Sequence, residues 1–183
     1  MENIKVLSNQ KVIKYLLTIF LGSLLLTISA KIKIPFYPVP MTMQTFIVVL
    51  MGVTFGWKIG VATISLYLLE GIIGFPVFAG TPEKGLGLIY FMGPTMGYLI
   101  GFLFAAFLAG YLNLKTNIFL IFLKLILSVS IIYILGILWL GHLIGWDKPL
   151  LELGLIPFLL AELFKISLLT IITKKLIKFR KLI

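Results

Sequence analysis

The sequence contains no cysteine, one histidine and only six acidic residues among 183. The lack of cysteine excludes disulfides, thiolate metal sites and thiol nucleophiles. The lone histidine, His142, cannot supply the several ligands that a zinc site needs, and no GxSxG, P-loop or dinucleotide-binding pattern is present. These observations argue against an enzyme. It cannot use ATP by itself, so transport driven by ATP would require other subunits.

Apolar residues make up 61% of the chain, and the mean hydropathy is +1.16. Soluble domains contain about 45–50% apolar residues. The apolar runs are unbroken instead of alternating, which favours helices over a β-barrel. We predict an all-α integral membrane protein, a single domain over 1–183 built as a six-transmembrane-helix bundle. The predicted helices cover about 11–30, 41–55, 59–71, 91–112, 117–141 and 155–177.

The net charge of +10 is concentrated in segments that flank the predicted helices. Ten Lys and Arg residues would lie on one side of the membrane with both termini, and four on the other, while Lys124 and Lys165 lie within spans. The positive-inside rule therefore predicts cytoplasmic termini and places segments 35–40, 71–87 and 142–149 outside. Such flanking charge indicates contact with anionic lipid, and we do not expect nucleic acid as a partner.

Glu162 and Lys165 lie inside the apolar segment 157–175. On a helix, residues three apart share a face and can reach each other or a common ligand. A charge near the bilayer centre costs about 2.5–3.5 kcal/mol, so such residues usually face a partner or a cavity. The pair predicts a pocket for a small polar solute; the alternative is that the two charges only neutralise each other.

The Gly- and Pro-rich segment 71–87 cannot be a continuous span. Irregular backbone at membrane depth persists only where protein or a water-lined cavity satisfies its polar groups. We expect its apolar side chains to form walls and nearby neutral polar groups to add hydrogen bonds. The walls would be Phe75, Val77 and Phe78, and the polar groups Gln44, Tyr67, Thr95 and Tyr98. This mixture suits a small amphipathic molecule better than a phosphate or a polyanion.

Small residues recur at four-residue intervals through the predicted helix 91–112, namely Gly93, Gly97, Gly101, Ala105 and Ala109. Such stripes allow transmembrane backbones to approach closely. We interpret the stripe as packing within the chain, with docking of a partner subunit as the alternative.

Four motifs in order resemble one known family. The run IPFYPVPMTMQTF at 34–46 is similar to its IP-x-x-PVPxTxQT signature, YLLEGIIGFPVFAG at 67–80 to Y-x-x-x-G-x-x-G-x-PVFAG, and GPTMGYLIGF at 93–102 to GPTGGYLxGF. A final signature, PF-x-x-GD-x-x-K, corresponds to Pro157, Phe158, Ala161, Glu162 and Lys165. The chain thus resembles the BioY family, the biotin-specific substrate-binding (S) subunit of energy-coupling-factor (ECF) transporters.

The resemblance implies a non-enzymatic membrane subunit that captures biotin outside the bacterial cytoplasmic membrane. Uptake would require a transmembrane coupling subunit and two cytoplasmic ATPase subunits, although some family members act without them. Biotin would be the transported ligand, and no cofactor is expected.

The resemblance also assigns roles to individual residues. Glu162 would accept a ureido N–H, and Lys165 would pair with the ligand or steady Glu162. Further hydrogen bonds and ring contacts would come from Gln44, Tyr98, the backbone of Phe78 and Gly80, and the side chains of Phe75 and Val77. The chain departs from the family where Ala161 and Glu162 replace Gly-Asp and where Met96 replaces a glycine.

Three alternatives remain open. The same architecture could carry another vitamin or small amphipathic solute. A membrane enzyme could use Glu162 and Lys165 as acid and base. A structural subunit without a ligand would tolerate joint replacement of this pair by apolar residues.

Overall fold

The computed structural model describes residues 2–181, and these residues are mostly helical. The elements in chain order are α1 (Glu2–Lys31), β1 (Lys33–Ile34), β2 (Met41–Thr42), α2 (Gln44–Ile72), α3 (Leu88–Phe91), α4 (Met96–Tyr111), α5 (Ile118–Ile144), α6 (Leu150–Gly154) and α7 (Leu159–Leu176). Short 3₁₀ turns, Ile156–Phe158 and Ile177–Lys181, precede and follow α7.

Four helical stretches are long and apolar enough to cross a membrane: Gln10–Lys31, Gln44–Ile72, Ile118–Ile144 and Leu150–Arg180. The helix Met96–Tyr111 is also apolar but shorter. Large apolar side chains such as Leu16, Phe20 and Phe164 point outward, as expected for surfaces that contact lipid. These are the features of a multi-pass membrane protein.

Helix α2 reverses direction at Gly56. This residue has φ +81° and ψ 171°, a conformation that glycine adopts at no steric cost. A Cβ built on Gly60 would lie 3.1 Å from the Cα of Gly52, whereas eight residues of a straight helix span about 12 Å. The chain therefore folds back into two antiparallel arms, on which the predicted helices 41–55 and 59–71 fall. The first arm begins at Gln44, since β2 occupies Met41–Thr42.

Several helix boundaries differ from the sequence-based prediction. The helix predicted over 91–112 begins at Met96, because Pro94 separates it from the single turn α3. The helix predicted over 155–177 begins at Leu159, after a 3₁₀ turn that contains Pro157. Helix α6 was not predicted, and α5 continues to Ile144, where Gly145 ends it.

The small-residue stripe packs inside the chain. A Cβ on Gly97 would lie 2.3 Å from the carbonyl oxygen of Leu135, and one on Gly101 would lie 2.7 Å from the Cα of Ile132. The other side of α4 contacts the first arm of α2, where a Cβ on Gly52 would meet the Ala106 carbonyl at 2.4 Å. The three helices are therefore in backbone contact, as the packing interpretation expected.

A two-stranded antiparallel ribbon lies across one end of the bundle, between α1 and α2. Lys33 pairs with Thr42 and Ile34 pairs with Met41. The loop 73–87, which connects α2 to α3, lies at the same end and contributes the buried residue Phe78 to the core. The ribbon and this loop, which we call the pocket loop, cover the site described next.

Candidate functional site

A small cavity of about 50 Å³ lies beneath the ribbon, between α2, α4, α5 and α7. Half of its lining is polar: Thr42, Gln44, Thr45, Tyr90, Thr95, Tyr98, Tyr133 and Glu162. The other half is apolar: Val39, Pro40, Met41, Ala79, Leu99, Phe102, Ile132 and Phe158. Binding sites for small amphipathic molecules have this mixture of apolar walls and a few converging polar groups.

Glu162 and Lys165 lie in the first two turns of α7 and are 5% and 6% exposed. The Lys165 ammonium donates to Glu162 Oε1 at 2.7 Å, to the Thr42 carbonyl at 2.7 Å and to Thr45 Oγ1 at 3.0 Å. Since an ammonium has three donors, Lys165 is saturated within the protein. It contacts Glu162 directly and does not line the cavity. Its geometry fits a residue that steadies Glu162.

Only one of the two carboxylate oxygens of Glu162 accepts hydrogen bonds from the described residues. Its Oε1 accepts from Lys165 and, at 2.8 Å, from the Thr45 hydroxyl. Its Oε2 is buried and has no hydrogen-bond partner among the residues that the structure describes. A buried oxygen left unpaired costs about 1–3 kcal/mol, and more when it is charged. A residue that lines the cavity therefore keeps one unused hydrogen-bond acceptor.

Gln44 and Tyr98 also line the cavity, each held by a polar partner. Gln44 Nε2 donates to the Tyr67 hydroxyl at 2.6 Å, and that hydroxyl donates to the Val77 carbonyl at 3.2 Å. Tyr98 donates to the Gly154 carbonyl at 2.9 Å. Both side chains are thereby fixed in orientation toward the cavity.

Three aromatic rings form one corner of the cavity. Tyr133 lies edge-on to Tyr98, with ring centroids 5.9 Å apart, and is tilted against Phe158 at 6.0 Å. Edge-to-face and offset rings are preferred arrangements that hold the side chains in place. The corner offers flat apolar surface, and the Tyr133 hydroxyl lies beside Glu162.

The pocket loop approaches the cavity with Ala79, not with the apolar residues predicted as walls. Phe78 is fully buried between Tyr67 and Tyr90, the latter stacked at 5.1 Å. The Gly80 amide donates to the Tyr90 hydroxyl at 3.0 Å. Burial raises the pKa of Tyr90, so this hydroxyl stays protonated at neutral pH.

The predicted site residues thus fall into three groups. Glu162, Gln44 and Tyr98 line the cavity, and Lys165, Val77, Phe78 and Gly80 lie behind its lining. Phe75 is 58% exposed and does not line the cavity, since the pocket loop turns it outward. Met96 does not line it either, so this departure from the family pattern does not narrow the cavity.

Several residues that line the cavity were not predicted from the sequence. Thr45 and Phe158 stand within the quoted motifs and could have been found there. Phe102 likewise ends the quoted run at 93–102, whereas Ile132 and Tyr133 lie outside every motif and are turned inward by helix packing alone.

The other carboxylate within an apolar helix, Glu70, lies elsewhere. It accepts a hydrogen bond from Ser23 of α1, a residue that is 1% exposed. Glu70 does not line the cavity.

A larger apolar cleft of about 510 Å³ opens between α5 and the α6–α7 region. It shares Tyr133 and Glu162 with the cavity, and the rest of its lining is almost wholly aliphatic. It offers too few polar groups to orient a polar ligand, so the smaller cavity is the better candidate.

Comparisons with known proteins agree on one family. The family model described as "BioY family" matches residues 3–181. The "Biotin transporter BioY" of Thermotoga maritima is 36% identical over 155 residues, covering 84% of this chain and 90% of the relative. The "Probable biotin transporter BioY" of Pyrococcus horikoshii is 35% identical over 152 residues, covering 83% and 89%.

A solved structure has a similar fold. The crystal structure at 2.1 Å of the S-component for biotin from an ECF-type ABC transporter superposes with a TM-score of 0.77 at 29% identity. The match covers 93% of both chains.

Proposed function

The chain belongs to the BioY family, and from this premise we propose that it captures biotin and takes it up across a membrane as the S component of an ECF-type transporter. It is a transport protein, not an enzyme. The remaining question is how its own residues recognise biotin.

The unpaired Oε2 of Glu162 carries the proposal. Biotin has a ureido group with two N–H donors and one carbonyl, an apolar thiophane ring and a carboxylate tail. A ureido N–H would pair with Oε2, so that ligand binding removes the cost of an unsatisfied buried charge. Gln44 and Tyr98 are placed to bond other polar atoms of the ligand, while Leu99, Phe102 and Phe158 offer apolar surface for the ring.

The cavity has to enlarge to accept biotin. Its volume of about 50 Å³ is well below the roughly 300–1,000 Å³ of pockets that hold small molecules. Three of the four helices around it, α2, α4 and α5, are in backbone contact, whereas the ribbon and the pocket loop cover it from outside the bundle. Entry of the ligand therefore requires movement of this cover.

The membrane arrangement that we propose counts the two arms of α2 separately. With α1, α4, α5 and α7 they make about six crossings in a single domain over residues 1–183. Both termini would be cytoplasmic, and the ribbon and pocket loop would face outside the cytoplasmic membrane, in accord with the positive-inside rule.

Energy would come from partner subunits. A transmembrane coupling subunit and two cytoplasmic ATPase subunits fit a chain in which no nucleotide-binding motif is present. The basic segments flanking the spans would contact anionic lipid at the cytoplasmic face.

Equilibrium binding of biotin to the purified, detergent-solubilised protein tests the proposal, with the fluorescence of Trp57, Trp139 and Trp146 as the signal. We expect saturable one-to-one binding with a nanomolar Kd. Desthiobiotin, thiamine and riboflavin serve as competitors that separate biotin from related and unrelated vitamins. Absence of biotin binding up to high micromolar concentration would contradict the proposal, and preferential binding of another competitor would identify a different cargo.

A further inference from the structure

Two lysines hold the pocket loop from the outside. Lys31, the last residue of α1, donates to the carbonyls of Phe78 at 2.9 Å and Thr81 at 3.0 Å, and to Thr81 Oγ1 at 3.2 Å. Lys33, the first residue of β1, donates to the Ala79 carbonyl at 2.7 Å. Three residues of the pocket loop, Phe78, Ala79 and Thr81, are therefore bonded to one short segment, 31–33.

These contacts are not the ordinary behaviour of interfacial lysines. A long cationic side chain near a helix end usually extends its ammonium into water. Here both ammonium groups turn back onto backbone carbonyls, and Lys31 uses its third donor for the Thr81 hydroxyl. Hydrogen bonds from a charged donor are shorter and stronger than neutral ones. The loop carbonyls that receive them belong to an irregular segment without helical partners.

One of these hydrogen bonds involves a residue that lines the cavity. Ala79, whose carbonyl Lys33 binds, is the pocket-loop residue that lines the cavity. Lys33 is paired with Thr42 in the ribbon, and the Thr42 carbonyl accepts from Lys165 beneath it. Ribbon, pocket loop and the Glu162–Lys165 pair are thus linked in one continuous set of contacts.

We propose that Lys31 and Lys33 are positioning residues that latch the pocket loop over the cavity and set the rates at which ligand enters and leaves. The effect on ligand rates rests on the proposed function, whereas the closing of the pocket loop by the two lysines does not depend on the identity of the ligand. Entry and exit both require the cover to move, so the lysine–carbonyl bonds break in either direction. Their loss lowers the barrier for both steps while leaving the contacts inside the cavity intact.

Stopped-flow kinetics of biotin binding test this consequence. Lys31→Met/Lys33→Met keeps the apolar stems and removes the donors. We expect association and dissociation rates each to rise about tenfold in the double variant, with a Kd that changes less than either rate. Lys33→Arg should stay near the wild-type rates, because a guanidinium also donates to a carbonyl. Lys148→Met is the control; this exposed lysine pairs with Asp147 outside the pocket loop, and its removal should change neither rate.

A second measurement needs no biotin. Because the chain has no cysteine, Ala79→Cys introduces a single thiol at a position that is 5% exposed, and its reaction rate with a maleimide reports loop opening. We expect this rate to rise about tenfold when both lysines are replaced by Met. Phe75→Cys, at an exposed position of the same loop, should react equally fast in both backgrounds.

The two readouts separate the possible failures. An unchanged Ala79→Cys labelling rate would overturn the latch even if biotin binds. Faster dissociation combined with slower association would also overturn it, since that pattern indicates damage to the cavity. If wild-type protein binds no biotin, the proposed function fails, and the labelling rates still decide the latch.

Discussion

Two carboxylates lie within apolar helices of this protein, and their surroundings differ. Glu162 lines a cavity; one of its oxygens accepts from an ammonium and a hydroxyl, while the second has no hydrogen-bond partner among the described residues. Glu70 meets the buried Ser23 hydroxyl at the contact between α1 and α2 and borders no part of that cavity. In the sequence they differ by neighbour and position: Glu162 has Lys165 three residues on within the apolar segment 157–175, whereas Glu70 directly precedes the Gly- and Pro-rich segment 71–87.

The two carboxylates differ in whether a hydrogen-bond acceptor is left without a partner. A charged group in a helix bundle becomes a binding site when it keeps an unused acceptor beside open space. Glu162 meets both conditions, and Glu70 contacts a neighbouring helix instead. Replacing Glu162 should therefore weaken ligand binding, whereas replacing Glu70 should only weaken the contact between α1 and α2.

The largest effect is expected from Lys165→Met. This change leaves the Glu162 carboxylate buried without its cation, and removing one partner of a buried ion pair costs about 3–5 kcal/mol. Unfolding in mixed detergent micelles should show a loss of stability of this order. Lys148→Met, which removes an exposed partner of Asp147, is the control and should change stability by no more than about 1 kcal/mol. Equal stability of the two variants would contradict the role of Lys165.

Glu162→Gln should weaken biotin binding by about ten- to a hundredfold, because the charged acceptor for the ureido N–H is lost. Combining it with Lys165→Met sharpens the test. The double variant should regain part of the stability lost in Lys165→Met, since no charge is left unpaired, yet it should not regain affinity. A double variant that binds biotin normally would show that the pair only neutralises itself.

Gly136→Ala should weaken binding about three- to tenfold. A Cβ at this position would lie 2.3 Å from Tyr98 Cε1, so the ring must shift and its 2.9 Å hydrogen bond to Gly154 must lengthen. Tyr98→Phe removes the hydroxyl without moving the ring and separates the two causes. Titration of both variants with biotin makes the comparison; an unchanged Kd in both would remove Tyr98 from the site.

Glu70→Gln should have the smallest effect on binding, less than about twofold, because Glu70 does not border the cavity. Its stability should fall by no more than about 1 kcal/mol, because the amide oxygen of Gln still accepts from Ser23. Ser23→Ala removes the donor and should cost more stability, about 1–3 kcal/mol, again without weakening binding. A tenfold loss of biotin affinity in either variant would show that Glu70, like Glu162, contributes to binding.

Much of the molecule could be predicted from local sequence. The apolar runs predict membrane-spanning helices because lipid cannot satisfy exposed backbone groups, and Pro35, Pro38 and Pro40 predict the break after the first of them. Glu162 and Lys165 were recognisable because a charge inside an apolar run is costly. Each inference depends on residues close together in the chain.

Predictions were less accurate where several distant segments meet. The pocket loop was expected to present Phe75, Val77 and Phe78 to a ligand, but it presents Ala79 and buries Phe78 against Tyr67 and Tyr90. Which side of an irregular loop faces inward depends on its partners. Tyr133 also lines the cavity, and because no motif surrounds it, only the packing of α5 against its neighbours shows this.

The sequence by itself determined that this is a helical membrane protein with one charged pair in its last apolar segment, and its motifs indicated the family. Only the tertiary structure decided which oxygen of Glu162 is free, that Lys165 is saturated, and that Lys31 and Lys33 bind the pocket loop. Hydropathy and helix periodicity are properties of neighbours along the chain. The saturation of a hydrogen-bonding group depends on atoms that arrive from other helices, and only folding brings those atoms together.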